Sequence, residues 1–243
     1  MTVPTLLGRA SAAMRAAAVD LVRAVVPVEC AGCGRVDIPL CAECAAAFTG
    51  PVVEVGDAPG RLDVEGEALM PVWAAAWLDG PVHETVAAWK DAGRRDLDRW
   101  ARAWMRRLAH DASEFLPLRS GLVVVPIPSR SRGRGADLPG VLAHGAGEGL
   151  ADAGVEAAVR ACLRIGRGES RTAGQRARTR GATVTAVGDA GPGPAILIDD
   201  VVTSGATRRA AREACEQSGT PVLGAMVLAA APPLGSRADV GLQ

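Results

Sequence analysis

The chain has 243 residues, with 27 basic residues balanced by 27 acidic ones and a formal net charge of +0 at pH 7. No whole-molecule field therefore points to nucleic acid or to a membrane surface, and the length suits one substantial α/β core with a small appendage. Hydrophobic residues make up 49% of the chain, with 3% aromatic and no tyrosine, so the core must be built mainly from Ala, Val and Leu. Lys90 is the one lysine among the 27 basic residues.

Residues 1–26 are apolar and helix-prone from Pro4 to Val26, but Arg9, Arg15, Asp20 and Arg23 interrupt the run. Its uncharged stretches are far shorter than the ~20 residues that span a bilayer, and no signal-peptide pattern with a cleavage site follows. Leu6, Leu7, Ala10, Met14, Ala17, Leu21 and Val25 recur at helical spacing, which predicts an amphipathic helix packed on the protein, with binding at a membrane surface as the alternative. The expectation is a cytoplasmic protein without stable membrane insertion.

Residues 27–50 carry Cys30, Cys33, Cys41 and Cys44 as two C-x-x-C pairs with seven residues between them. Each pair can present two thiolates from one tight turn, and Gly32 and Gly34 ease the backbone around them. Two such knuckles predict tetrahedral S₄ coordination of a structural Zn²⁺, with no open position for catalysis. Buried metal would stabilise a segment too small to own a core. A redox dithiol pair, or a cluster that has lost its metal, is the other reading of the same cysteines. Cys162 and Cys215 stand alone and read as small core residues.

Residues 51–70 mix Pro, Gly and acids without period and read as a linker. Val72 to Leu78 predicts a strand with Trp73, Ala75 and Trp77 on one side. Asp79-Gly80 turns the chain, and Pro81 suits the first position of a helix covering Val82 to Ala92. A second helix, roughly Leu97 to Ala109, puts Trp100, Trp104 and Leu108 on one face, as core anchors rather than base-stacking platforms.

Leu122 to Ile127 is a buried parallel strand whose loop starts at Pro126. Pro128, Ser129, Arg130, Arg132 and Arg134 follow, then a helix over Val141 to Ala153. Arginines at a strand's carboxyl end sit where an open α/β sheet places its ligand, and guanidinium matches pyrophosphate oxygens with paired donors. The alternative is a solvated surface loop. From Arg160 to Arg180, seven arginines face Glu169 alone, between glycines. This stretch reads as a lid over a polyanion, with a solvated face or nonspecific nucleic-acid contact as alternatives.

Ala195 to Thr207 carries the densest chemical signal. Ala195-Ile-Leu-Ile198 predicts a central parallel strand, and Asp199 and Asp200 follow at its carboxyl end. Thr203, Ser204, Gly205, Ala206 and Thr207 then run into the helix-forming Arg208-Arg209-Ala210-Ala211. Loop amides, hydroxyls and a helix N-terminus suit a phosphate. Two carboxylates beside them suit vicinal ribose hydroxyls, directly or through Mg²⁺. The site is therefore read as one for a phosphorylated sugar. A helix over Ala206 to Gln217 stops at Gly219, Val222 to Ala230 is a further strand in a right-handed βαβ unit, and residues 232–243 form a tail.

The segment around Asp199 and Asp200 resembles the phosphoribosyl-pyrophosphate (PRPP) motif of type I phosphoribosyltransferases. Together with the four cysteines, Lys90-x-x-Gly93-Arg94-Arg95-x-Leu97 and Val125-Pro126-Ile127-Pro128, it makes the chain resemble the ComF/GntX family over roughly Val26 to Ala230. That resemblance implies an α/β fold over residues 71–231, a type I phosphoribosyltransferase-like parallel sheet flanked by helices, behind a small zinc-binding module.

By position, Asp199 and Asp200 would hold the ribose hydroxyls, and Thr203 to Thr207 the 5′-phosphate. Pro126, Ile127, Pro128, Ser129, Arg130 and Arg134 would take the pyrophosphate, and Lys90 would reach the mouth of the site; the alternative for Lys90 is a solvated helix residue. The implied chemistry is displacement of Mg²⁺-bound pyrophosphate from PRPP through an oxocarbenium-like transition state. No residue stands out as nucleophile or general base, and the acceptor is open. Family members are linked to DNA uptake in competent bacteria, so a non-catalytic nucleotide sensor, or a binder of single-stranded DNA or of a competence-machinery protein, is the other reading. The chain departs from the family pattern at Ala136-Asp137, after Arg134-Gly135, and at Gly181, three residues after Arg178.

Overall fold

A computed structural model describes residues 27–55, 63–64, 67–68, 70–129, 137–166, 183–188, 190–202 and 206–232. The expected N-terminal helix, the arginines from 167 to 180, Arg130, Arg132, Arg134, Thr203 to Gly205 and the tail from 233 lie outside the described residues.

In chain order the helices are α1 (Ala42–Ala46), α2 (Gly80–Lys90), α3 (Asp98–Ala112), α4 (Leu138–Asp152) and α5 (Ala206–Gln217). The strands are β1 (Val53–Glu54), β2 (Asp63–Val64), β3 (Glu67–Ala68), β4 (Val72–Trp77), β5 (Leu122–Pro126), β6 (Ala157–Val159), β7 (Leu163–Gly166), β8 (Thr183–Ala186), β9 (Ala195–Val202) and β10 (Val222–Ala230). Six of them form one sheet in the order β1-β4-β10-β9-β5-β6. Only β1 is antiparallel to its neighbour; β4, β10, β9, β5 and β6 run parallel. The chain is thus an α/β protein with a mostly parallel sheet.

Both faces of this sheet are covered, which is why its central strands are continuous apolar runs rather than alternating ones. Trp73, Val124, Ile196, Ile198, Met226 and Leu228 pack against α2, α3 and α4 on one face. Val123, Val125, Leu197, Ala225 and Val227 face α5 and the β7–β8 ribbon on the other. Cys162 and Cys215 are buried on that second face, as expected of small core residues.

Several boundaries differ from the sequence expectations for identifiable reasons. Helix α2 ends at Lys90, two residues early, because Gly93 turns the chain at φ +71°. Helix α4 begins at Leu138, where the Asp137 carboxylate accepts a hydrogen bond from the Gly140 amide at 2.9 Å and caps the first turn. The stretch read as a linker gives the sheet its edge strand, since Val53 and Glu54 pair with Ala74 and Trp73. The described residues on either side of the arginine-rich stretch pair as a two-stranded antiparallel ribbon, β7 and β8.

The cysteine segment is not a separate body. Cys30, Leu40, Cys41, Cys44 and Phe48 belong to the same buried cluster as α2, α3 and α4. The Phe48 ring stacks on Trp104 with centroids 3.8 Å apart, and Arg107 donates to the Phe48 and Gly50 carbonyls at 3.3 and 2.7 Å. Trp104 is therefore the core anchor the helical spacing implied.

Helices α3 and α4 approach closely because α4 carries glycine where their backbones meet. A Cβ at Gly145 or Gly149 would collide with the carbonyl of Arg102 or Arg106. The same two arginines pair outside the contact with Glu148 and Asp152. Gly149→Ala is expected to destabilise the protein by about 1–3 kcal/mol through forced separation of the helices. Gly147→Ala meets only the Val159 methyl, so its helix propensity gain offsets the contact and the effect should be near zero. Denaturant unfolding of the two variants checks this contrast, and equal effects would contradict the close-packing explanation.

Candidate functional site

Strand β5 leads to α4 on one face of the sheet, while its neighbour β9 leads to α5 on the opposite face. In open α/β sheets such a reversal marks the carboxyl ends of the two strands as the position at which ligands bind. Register fixes what lines it. Pro126 pairs with Ile198, and the Ile127 amide donates to the Ile198 carbonyl at 2.8 Å. The turn beginning at Pro126-Ile127-Pro128-Ser129 therefore lies beside Asp199 and Asp200, and α5 starts four residues after β9 ends.

Asp199 and Asp200 are in the last part of β9, not beyond it. Neighbours in a strand point to opposite faces, so the two carboxylates diverge. Asp200 goes to the α2 face, where Lys90 Nζ lies 2.8 Å from Oδ1 and 2.7 Å from Oδ2. Lys90, the last residue of α2, thus reaches the acidic pair across 110 residues of sequence. Asp200 Oδ1 also accepts from the Val201 amide at 2.7 Å, and its side chain is only 6% exposed.

Asp199 faces α5. Its Oδ1 accepts from the Asp200 amide at 2.9 Å, and its Oδ2 is 3.7 Å from Arg208 Nη1. The Arg208 side chain is 2% exposed, and its Nε has no hydrogen-bond partner among the described residues. Sequence reasoning treated Arg208 only as a helix former. A signal was present: Arg208 shares its helical stripe with Ala211 and Cys215, both buried, so it occupies an inward position.

The charges respond to this setting. Burial pushes the Asp199 carboxyl up to about 7, helped by Asp200 and opposed by Arg208. Burial acts to lower the Lys90 ammonium, but the Asp200 carboxylate outweighs it and the net shift is upward. Burial lowers Arg208 against the pull of Asp199. His83, His110 and His144 take no part; each bonds within its own helix, to Glu84, Asp111 and the Gly140 carbonyl.

The second cluster is the four cysteines. The sulfurs of Cys30, Cys33, Cys41 and Cys44 all lie within 4.8 Å of one another, with Cys33 and Cys41 at 3.7 Å. That separation is far beyond the ~2.05 Å of a disulfide. The group can hold a metal ion, with Cys33 at the surface and the other three buried. The Cys41 amide points at Cys30 Sγ, 3.3 Å away. Burial would raise the Cys30 thiol, yet the amides of Cys41, Gly32 and Cys33 outweigh it and bring it down to about 6. Burial and the neighbouring thiols push Cys44 upward.

Fold and site together define an α/β protein with a doubly covered, mostly parallel sheet, an acidic pair at its switch point and a four-cysteine cluster. No protein-family model and no curated protein matches the chain. Among the described residues no helix is long and apolar enough to cross a membrane.

The raised Asp199 pKa sets a pH dependence. The ordinary carboxyl value is 3.8, so between pH ~4 and ~7 the unfolded chain gives up this proton while the folded chain retains it. Stability from this group is therefore full at the acid end and lost as pH rises through about 7. Asp199→Asn cannot ionise and keeps the acceptor for the Asp200 amide. It should be stabilised relative to the parent at pH 8, with the advantage vanishing near pH 4. Denaturant unfolding across that range measures the gap; a pH-independent gap would show that Asp199 is an ordinary carboxylate.

Proposed function

We propose that the chain is a phosphoribosyltransferase-type protein of the ComF/GntX kind, which binds PRPP or a related phosphorylated ribose at the crevice between β5 and β9. One observation carries this reading: the acidic pair, the Pro126–Ser129 turn and the start of α5 converge at the sheet's switch point. In such a site the ribose spans the end of β9, with one hydroxyl toward Asp200 and its neighbour toward Asp199. The 5′-phosphate lies at Thr203 to Thr207 in front of the α5 N-terminus, and the pyrophosphate along Pro126 to Arg130 and Arg134.

Lys90 already neutralises Asp200, so a ribose hydroxyl donating to Asp200 shares that carboxylate with the ammonium. With Asp199 turned toward Arg208 on the other face, the acidic pair forms no cation cage of its own. Magnesium is therefore assigned to the ligand's diphosphate, which chelates it, rather than to these side chains. For transfer, the protein's part is positioning of the anomeric carbon and charge complementarity around the departing pyrophosphate. The transfer step itself, to an acceptor that the sequence leaves open, rests on the family resemblance.

The cysteine cluster is assigned to a structural zinc. Tetrahedral coordination with bonds of ~2.3 Å puts ligand sulfurs about 3.8 Å apart, and the Cys33–Cys41 separation is 3.7 Å. Four sulfurs close the coordination shell, so the metal holds structure and leaves no open position for substrate. Purified protein should contain one zinc per chain, and Cys44→Ser should abolish retention of the metal and lower the thermal midpoint. Metal analysis with thermal unfolding checks both; a metal-free protein with an unchanged midpoint would refute the assignment.

The ligand reading is tested by calorimetric titration of PRPP with Mg²⁺ into the zinc-loaded protein. Saturable binding is expected at pH 8, where Asp199 has given up its proton, and should be weakened at least about tenfold in Asp199→Asn/Asp200→Asn by the loss of two charge-assisted hydrogen bonds. Neutralising the outer arginines Arg102 and Arg106 should leave it unchanged. No binding of PRPP, together with salt-sensitive binding of a single-stranded oligonucleotide that falls when arginines are neutralised, would instead favour the nucleic-acid reading.

A further inference from the structure

The metal knuckle and the acidic pair have so far been separate features. Their connection runs through α2, the helix that ends in Lys90. On the knuckle side, Gly32 is pressed between Cys44 and α2: a Cβ there would stand 2.7 Å from Cys44 Sγ and 2.9 Å from Thr85 Oγ1. Thr85 is 1% exposed and donates to the Pro81 carbonyl one turn back along α2. The first knuckle thus rests directly on the body of the lysine's helix.

The end of that helix is tied to the same knuckle by one residue. The Arg94 amide donates to the Ala88 carbonyl at 3.0 Å, closing the last turn of α2 after the positive-φ bend at Gly93. The Arg94 guanidinium then donates to the Glu29 carbonyl at 3.0 Å and to the Pro39 carbonyl at 3.3 Å. Glu29 immediately precedes the first cysteine, and Pro39 lies two residues before the third. The Pro39 carbonyl also accepts from the Ala31 amide at 3.0 Å, between Cys30 and Cys33. Asp96 holds the guanidinium in place with two hydrogen bonds, at 2.9 and 2.7 Å. Arg94 therefore bridges the two strands of chain that the metal draws together and the helix end that aims Lys90.

We infer that Arg94 is a positioning residue through which the metal knuckle sets Lys90 on Asp200. The inference rests on the metal reading of the cysteine cluster and is independent of the phosphoribosyl reading. A metal-bound knuckle fixes the Glu29 and Pro39 carbonyls; these hold Arg94; Arg94 closes the helix whose last residue places its ammonium 2.7 Å from the carboxylate. Without the metal, four sulfurs have no common partner, both carbonyls lose their fixed spacing, and the helix end loses its outer support.

The composition supplies a clean readout. Lys90 is the only lysine in the chain, so reductive methylation with ¹³C-formaldehyde, which keeps the charge, labels Lys90 and the terminal amine alone. In the full-length, metal-loaded protein the Lys90 methyl signal should be displaced from its position in Asp200→Asn, which marks the unpaired state. Arg94→Ala, verified to retain its metal, should lose most of that displacement. Arg102→Ala, which removes a comparable surface ion pair to Glu148, should keep it. Chelation of the metal, with the fold followed by circular dichroism, should reproduce the Arg94→Ala signal.

A metal-loaded Arg94→Ala protein with the parent's Lys90 signal would overturn the inference, as would a stripped, folded protein that keeps it. A parent signal identical to that of Asp200→Asn would overturn it as well, because no pair would exist to be positioned. Failure of the parent protein to bind PRPP would leave these signals unchanged, so the two proposals fail separately.

Discussion

Two carboxylates at the end of a buried central strand have to be compensated, and much of the molecule is arranged to do so. Taking an ionised side chain out of water costs several kcal/mol unless a partner and hydrogen bonds replace the solvent. Asp200 meets that requirement with a backbone amide and Lys90, and the arrangement dictates where α2 must end. Among the described residues Asp199 has one amide and a guanidinium 3.7 Å away, and burial, helped by Asp200, holds its proton up to about neutral pH.

The same requirement accounts for the position of the cysteine segment. A lysine on a helix terminus is a long, flexible donor whose ordering costs up to about 2 kcal/mol of side-chain entropy. That cost is reduced when the helix under it is rigid. Here α2 is held on its body by the knuckle at Gly32 and Thr85 and at its end by Arg94. The four-cysteine cluster shares its core with α3 through Phe48 and Trp104. It packs into the helical layer and is not a bead on a linker.

Sequence periodicity disclosed the elements whose signals are local. Helix α5 and strand β10 carry the bounds read from apolar runs and a glycine stop, Ala206–Gln217 and Val222–Ala230. The cysteine spacing likewise pointed to the cluster, since two turns and a short connection suffice to bring four sulfurs together. What escaped notice depended on faces. Asp199 and Asp200 are adjacent in sequence and so were treated as one functional unit, yet the pleat turns them to opposite sides with different partners. Arg208 escaped because an arginine among helix formers looks like surface, although its spacing to Ala211 and Cys215 put it inside. The clamp made by Arg94 escaped for another reason. It joins residues 55 and 65 positions apart through backbone carbonyls, which leave no trace in side-chain pattern.

The central claim is that the crevice between β5 and β9 holds a phosphorylated ribose, and a crystal structure of the full-length, metal-loaded protein with ribose 5-phosphate tests it most directly. The expected result is a sugar with its hydroxyls within hydrogen-bonding distance of Asp199 and Asp200. Its phosphate should lie in front of the first turn of α5, with Lys90 still in contact with Asp200. Ribose 5-phosphate bound elsewhere, or a crevice left unchanged at saturating ligand, would contradict the claim and leave the acidic pair as an internal charge network of the fold.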